Sequence, residues 1–384
     1  MIQLSRRDFL AVLAAVPVWL ALPSGLAVAA TLRVIGQRRW SAPDYTRLVL
    51  ELDAKADFAT QRYADPDRIV IEVRDAQHRD GDLEIAVDDG LVRSIRFSNA
   101  TNSVLVTVLL QRAAEFNAFS LAPNAGGEHH RIVLDVGKTL TEAEKRAQER
   151  EAEAVRTSGD IVVAIDAGHG GTDPGCRGHG LVEKDVALDV ALLLAKAIDA
   201  RTGMRAVLTR ERDYFVPLGR RQKIAQRYAS RVFVSIHLNS APSASARGSE
   251  VFFLSPKGAA DKAARELVDR ENAADEVGGV PPEKSESVLV DILWNMKQNE
   301  IMRQSERLGD SVLRRLEDLS GNESRGLKQG PLAVLKSIRC ASVLVELGFV
   351  TNRRDAGLMA SSAVQRRYAD LLAAGIDDYV RGAG

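Results

Sequence analysis

The chain has 384 residues, which is long for one domain. Apolar residues make up 45% and charged residues 27%, so a sizeable core is feasible and wholesale disorder is excluded. Lys and Arg number 52, as do Asp and Glu; a net charge of zero argues against a nucleic-acid protein, whose affinity comes from neutralising phosphates.

Residues 1–29 read as an export signal. Ser5-Arg6-Arg7-Asp8-Phe9-Leu10 leads into an uncharged run from 9 to 30, and Ala27-Val28-Ala29 is a small-x-small cleavage pattern. The paired arginines resemble a twin-arginine signal, which sends a folded protein out of the cytoplasm. A membrane anchor is the competing reading. Pro17, Pro23 and Gly25 interrupt the run and favour cleavage. No later stretch is apolar enough to span a bilayer. The expectation is a soluble periplasmic protein.

Residues 30–137 alternate with period two. Leu48, Leu50 and Leu52 interleave with Val49 and Glu51; Ile69, Ile71 and Val73 with Val70 and Glu72; Val104, Val106 and Val108 with Leu105 and Thr107. Ile132, Leu134 and Val136 close the series. Turn signals at Asp65-Pro66-Asp67, Asp88-Asp89-Gly90 and 123–127 separate these runs. The pattern predicts a small all-β sandwich. Residues 138–158 mix Lys and Arg with Glu and lack aromatics, which predicts a solvated helical linker.

From 159 to 384 strands and helices alternate. Strands are expected at 161–165, 206–209, 232–236, 250–254, 332–335 and 343–345. Helices are expected from about Asp185, at 218–229 and at 363–380. This predicts an α/β domain with a mainly parallel sheet flanked by helices. An insertion of about 256–298 follows the fourth strand. Its first helix, 259–276, is heavily charged and is broken by Gly278-Gly279 and Pro281-Pro282. A second helix is expected over about 287–319.

The chemistry gathers where strands end. The first strand runs into Asp166-Ala167-Gly168-His169-Gly170-Gly171, the third into His237-Leu238-Asn239, and the last into Glu346. Open α/β sheets bind ligands at the carboxyl ends of strands. Glu183 precedes the helix after the first strand and so faces the same edge. Two histidines and one glutamate, His169, His237 and Glu183, suit a catalytic zinc ion with a position left for water. Glu346 is then the natural general base. Asp166 is placed to support a histidine from behind, and Asn239 to support the site or meet substrate. A lone histidine at a strand end is more often a satisfied polar residue, and a glycine-rich loop after a strand is sometimes a phosphate cradle. Here the loop lacks the Gly-Lys-Ser/Thr of a P-loop, and two His and two Glu converge on one edge. His179 reads as a solvated loop residue. His78, His129 and His130 receive no chemistry. Cys176 and Cys340 read as unpaired thiols rather than a bridge. The residues alone reach a metal-assisted amide or ester hydrolase.

Four ordered motifs then carry a resemblance. The loop 166–171, with Asp173-Pro174-Gly175 and Glu183-Lys184-Asp185, resembles the N-acetylmuramoyl-L-alanine amidase family of zinc enzymes. Ser235-Ile236-His237-Leu238-Asn239 and Val345-Glu346-Leu347-Gly348-Phe349 match its later motifs. The resemblance covers about 160–380. It implies that His169, Glu183 and His237 hold Zn2+, that Glu346 is catalytic, and that the substrate is the amide joining muramic acid to L-Ala in peptidoglycan. The β region is similar to the AMIN module of exported division enzymes, which implies binding to peptidoglycan or septal components. The competing readings are a noncatalytic wall-binding scaffold and a zinc peptidase acting within the stem peptide.

In similar division amidases an inserted helical segment covers the metal, and a carboxylate fills its open position. Glu271 is the candidate for that role; Glu266, Asp269 and Glu276 are rivals. The resemblance further implies a divisome-associated activator with a metallopeptidase-like domain. A charged helical face is otherwise simply solvated.

Overall fold

The computed structural model describes residues 32–123, 128–137, 142–255, 258–278, 291–336 and 338–382. The expected signal at 1–29 lies outside the described residues. So do 138–141 of the expected linker and, within the expected insertion, 256–257 and 279–290.

The period-2 runs become ten strands: β1 (Leu32–Ser41), β2 (Tyr45–Leu52), β3 (Phe58–Tyr63), β4 (Arg68–Arg74), β5 (Ala76–His78), β6 (Leu83–Ala86), β7 (Val92–Asn99), β8 (Ser103–Leu110), β9 (Glu115–Leu121) and β10 (His130–Gly137). They form two five-stranded sheets, ordered β5-β1-β2-β10-β9 and β3-β4-β8-β7-β6. Because successive side chains point to opposite faces, Leu48, Leu50, Ile132 and Leu134 of one sheet meet Ile69, Ile71, Val104 and Val106 of the other in a single core. This is the sandwich that the alternation predicts. Helix α1 (Glu142–Thr157) follows, and Arg156 on it donates to the Arg227 carbonyl at 2.7 Å.

The second part contains, in order, β11 (Ile161–Ala167), β12 (Arg177–Gly178), β13 (Leu181–Val182), α2 (Glu183–Asp199), β14 (Met204–Leu208), α3 (Leu218–Arg227), β15 (Val232–Asn239), β16 (Ser249–Leu254), α4 (Lys262–Asn272), α5 (Ala274–Val277), α6 (Asp291–Leu316), β17 (Ser324–Gly330), β18 (Ala341–Phe349), α7 (Arg353–Met359) and α8 (Ser362–Val380). Six strands make one sheet, ordered β14-β11-β15-β18-β16-β17. Neighbours run parallel except β16, which is antiparallel to β18. Both faces are covered, so the central strands are apolar throughout rather than alternating. Val163, Ile165, Val234 and Val345 pack with Val190 and Leu194 of α2, Leu308 and Val312 of α6, and Leu372 of α8. On the other face Ala164, Phe233 and Leu344 pack with Ala225 of α3 and Leu267 of α4.

One strand expectation is corrected, and one strand was not expected. Residues 332–335 were expected as a strand, but Ala333–Leu335 is a 3-10 turn. Leu332 and Leu335 are buried there, so the apolar signal came from packing and not from pairing. The edge strand is instead β17, Ser324–Gly330, whose polar sequence SRGLKQG hides it. Among the described residues, no helix is long and apolar enough to cross a membrane.

Candidate active site

The carboxyl ends of β11, β15 and β18 lie side by side in the sheet, with Asp166 opposite Ser235 and His237 opposite Glu346 in the parallel register. α2 opens at Glu183 itself, directly after the β12–β13 hairpin, whose last residue Val182 is its N-cap. Four buried residues therefore converge: one ligand atom from each of His169, Glu183, His237 and Glu271 lies within 4.8 Å of the others. His169 Nε2 is 3.0 Å from Glu183 Oε1 and 3.3 Å from Glu271 Oε2. His237 Nδ1 is 3.1 Å and 3.0 Å from the same two oxygens. Gly168 makes the approach feasible, because a Cβ there would lie 2.5 Å from the His237 ring.

The outer ring nitrogens are tied elsewhere. His169 Nδ1 bonds Asp173 Oδ2 at 2.7 Å, and His237 Nε2 lies 3.1 Å from Ser235 Oγ. Each ring thus turns its other nitrogen toward the common centre, as a metal-binding imidazole does. Among the described residues, His169 Nε2, Glu271 Oε2 and both oxygens of Glu346 have no hydrogen-bond partner although fully enclosed. Orphaned acceptors around two imidazoles and two carboxylates fit a divalent cation with nitrogen and oxygen ligands. The residues present therefore suit zinc.

Electrostatics agree. Burial alone would lower both imidazole pKa values, but carboxylates outweigh it. Glu183, Asp173 and Glu271 raise His169 well above its ordinary value, and Glu271 with Glu183 raises His237 to about 9. Glu183 and Glu271 are held low against burial by the imidazoles beside them. Glu346 moves the opposite way: burial raises it well above the carboxylate range, and Glu183 and Glu271 add to that. One carboxyl in the cluster is thus set apart from its neighbours, as a proton carrier is.

Asp166 and Asn239 are supports that the sequence pointed to; Asp173, Ser235, Arg210 and Arg221 are supports to which it gave no role. Asp173 was quoted in a motif but given no role; the four-residue spacing from His169 was its signal. Asp166 reaches His237 through Ser235, whose hydroxyl donates to Asp166 Oδ2 at 2.5 Å. Two buried arginines brace the histidine loop. Arg221 donates to Asp166 Oδ1 at 2.8 Å, to the Ala167 carbonyl at 2.7 Å and to the His169 carbonyl at 2.9 Å. Arg210 donates to the Ala167 and Gly168 carbonyls at 2.9 and 2.8 Å. Arg210 follows the end of β14, so the strand-end argument would have found it; Arg221 sits within α3 and gave no signal. Asn239 donates to Glu250 Oε1 at 2.5 Å and accepts from Arg270 at 3.2 Å.

Of the acidic candidates on the inserted helices, Glu271 is the one in the cluster, and it is 4% exposed. Glu266, Asp269 and Glu276 are not part of it. A cavity of about 10 Å3 lies against His169, His237, Glu271 and Asn272 and is closed on its other side by Leu218, Leu332, Val334 and Leu344. That cavity holds about one water. His179 is exposed in the β12–β13 turn, and His78 is a core residue stacked on Phe97. Cys176 and Cys340 are unpaired.

A family model described as N-acetylmuramoyl-L-alanine amidase matches residues 163–378, and one described as AMIN domain matches residues 37–136. N-acetylmuramoyl-L-alanine amidase AmiC of Escherichia coli O6:H1 is 30% identical, over 94% of this chain and 93% of its own length. AmiC of Neisseria meningitidis serogroup B is 32% identical over 99% and 98%. Among solved structures, N-acetylmuramoyl-L-alanine amidase AmiC2 of Nostoc punctiforme is 30% identical with a TM-score of 0.44, covering 58% of this chain and 99% of that one.

Proposed function

This chain belongs to the N-acetylmuramoyl-L-alanine amidase family, cell-wall amidases that act on peptidoglycan, and from that premise we propose a zinc-dependent enzyme of daughter-cell separation. It hydrolyses the amide between the lactyl group of muramic acid and L-Ala of the stem peptide. The proposed parts are an export signal at 1–29, a wall-binding AMIN domain at 30–137, a linker at 138–158 and the amidase domain at 159–384.

His169, Glu183 and His237 would hold the ion. Zinc in such a site supplies a water of lowered pKa and polarises the carbonyl. Asp173 and Ser235 orient the two rings from behind, and Arg210 and Arg221 keep the loop that carries His169 from shifting. Glu346, whose two oxygens take no hydrogen bond from the described residues, takes the proton as water adds to the lactyl carbonyl carbon. It then delivers that proton to the nitrogen of L-Ala as the C–N bond breaks, leaving a carboxylate on the glycan and a free amino terminus on the peptide.

Glu271 occupies the side of the cluster that substrate must enter. In this state the enzyme is shut, and an activator, a divisome protein with a metallopeptidase-like domain, would have to draw the α4 segment away. Export through the twin-arginine route to the periplasm completes the reading. A wall hydrolase acts on that side of the membrane, and a shut state protects the cell until division.

The observation that carries this proposal is the convergence of two inward-facing imidazole nitrogens with Glu183 beside an unpartnered Glu346. The test incubates purified peptidoglycan with the zinc-loaded protein and with its Glu271→Ala variant, and reads products by mass spectrometry. Stem peptides beginning at L-Ala, released faster by the variant, are expected. Peptides cut internally would instead make it a peptidase. No cleavage by the variant, with zinc bound and fold intact, would move the weight to a noncatalytic wall-binding protein.

A further inference from the structure

The segment bearing Glu271 is fastened at several points along its length. Asp261 caps α4, accepting from the Ala264 amide at 2.7 Å. Glu271 meets the two imidazoles. Asn272 donates to the Pro331 carbonyl at 3.1 Å and accepts from the Ala333 amide at 2.6 Å. Asp275 accepts from the Leu218 amide at 2.8 Å. All these partners belong to the α/β domain. The last fastening does not. The carbonyl of Gly278, at the C-cap of α5, accepts a hydrogen bond from Nη1 of Arg47 on strand β2 of the sandwich, and a second from Thr172 Oγ1 at 3.1 Å.

Arg47 is held for that contact. Its register partner on β10 is Asp135, and the two make a two-pronged pair, Nε to Oδ1 at 2.6 Å and Nη2 to Oδ2 at 2.7 Å. The pair fixes the plane of the guanidinium and leaves Nη1 for Gly278. A carbonyl at a helix end lacks an intrahelical partner, so Gly278 has an acceptor to satisfy.

The sandwich is also committed to this face. A free sheet would turn its outer side chains to water. Here Arg47, Val49, Arg131 and Val133, which alternate with the core residues Leu48, Leu50, Ile132 and Leu134, are all buried. The hydroxyl of Tyr45 donates to the Phe215 carbonyl at 2.6 Å. The Phe215 ring lies so close against Gly278 that no Cβ would fit between them. Trp40 lies beside Gly171 of the histidine loop, and Asp44 pairs with Arg220. Sandwich residues therefore hold Gly278 and also the loops that flank it.

We infer that the β sandwich is a working part of the lock: through Arg47 it holds the C-terminal end of the inhibitory segment and so helps keep Glu271 over the histidines. The inference rests on the proposal that Glu271 shuts the site. It makes the seating of the sandwich a second input to activity, apart from any protein that pulls on the inserted helices. Anything that shifts β2 relative to α5 loosens the segment from its far end.

The test uses the zinc-loaded full chain and three variants: Arg47→Ala, Arg47→Lys and Glu271→Ala. Arg47→Lys keeps a charge beside Asp135 but has no fork to hold Gly278 as well. Two quantities are read, amide hydrogen exchange across 262–278 and peptide release from peptidoglycan. Both Arg47 variants are expected to exchange that segment about 5-fold faster or more, and to release peptide faster than the parent. Adding Arg47→Lys to Glu271→Ala is expected to give no further gain in release, because both act on one element. Parental exchange and release in Arg47→Lys, alongside a faster Glu271→Ala, overturn the clamp and leave the plug standing. A Glu271→Ala no faster than the parent overturns the plug, and the clamp with it. Should Arg47→Ala open the sandwich, seen as exchange across 45–52 and 130–137, Arg47→Lys decides.

Discussion

Asp173 Oδ2 lies 2.7 Å from Nδ1 of His169, while Nε2 of the same ring lies 3.0 Å from Glu183 Oε1. One imidazole is thus gripped at one edge and offered at the other. That geometry suits a ring which donates from Nδ1 and offers its Nε2 lone pair to a metal. Asp173→Ala is expected to weaken zinc binding about 10–100-fold, read by competition with a chromogenic chelator. Unchanged affinity would mean that the bond only packs the loop.

Glu346 contributes differently. It is proposed to move a proton and not to hold the ion. Glu346→Gln keeps the shape and removes the basicity. Turnover of peptidoglycan is expected to fall at least about 100-fold with zinc content unchanged. A variant that keeps full activity, or one that loses its zinc, would remove Glu346 from the role of general base.

Arg221 and Asp166 form a pair that is almost wholly enclosed, 2.8 Å apart. Burial raises the Asp166 pKa, but Arg221, Ser235 and Thr209 outweigh it, so the folded value is depressed. The pair therefore adds stability at neutral pH that fades as pH falls through that depressed value. Arg221→Met strands a buried carboxylate and the carbonyls of the histidine loop. A loss of about 3–5 kcal/mol is expected in urea unfolding at pH 7, with a smaller loss in acid. A loss below about 1 kcal/mol would show that solvent replaces the arginine.

The two thiols give a pH test that does not depend on titrating the imidazoles. Burial raises Cys340 to about 12, and burial reinforced by Glu183 raises Cys176 further still. Raised values mean little thiolate at neutral pH. Native alkylation by iodoacetamide is expected to be slow at pH 8, and to climb about tenfold per pH unit with no plateau below pH 10. A plateau near pH 8.5 would show ordinary, exposed thiols.

Much of this architecture was written in the chain at short range. The sandwich announced itself because β4 and β8 bury every second residue, and the α/β sheet because β15 and β18 bury all of theirs. His169, His237 and Glu346 were legible because each follows an apolar run directly. Strand β17 was missed because it lies at the sheet edge and carries Arg325, Lys328 and Gln329. Asp166 and Arg221 are 55 residues apart, so their bond existed in no local pattern. The same holds for Arg47 and Gly278, separated by 231 residues. Glu271 was the candidate among four acids on charged helices, preferred only by resemblance, and the fold buries it beside the two histidines.

Strands β16 and β17 run parallel, and a hairpin cannot join parallel neighbours. Some crossover between Leu254 and Ser324 is therefore obligatory, and α6 supplies it by packing Leu308, Val312 and Leu316 under the sheet. The stretch before α6, which carries Glu271, is not needed for that connection, but its α4 lays Ala264, Leu267 and Val268 on the opposite face of the sheet. A deletion that joined the end of β16 to the start of α6 would leave the sheet threaded as before and remove the proposed plug, but it would also bare the apolar face that α4 covers. The proposed restraint is thus built into a helix that the core already uses, so releasing it by movement asks less of the fold than cutting it away.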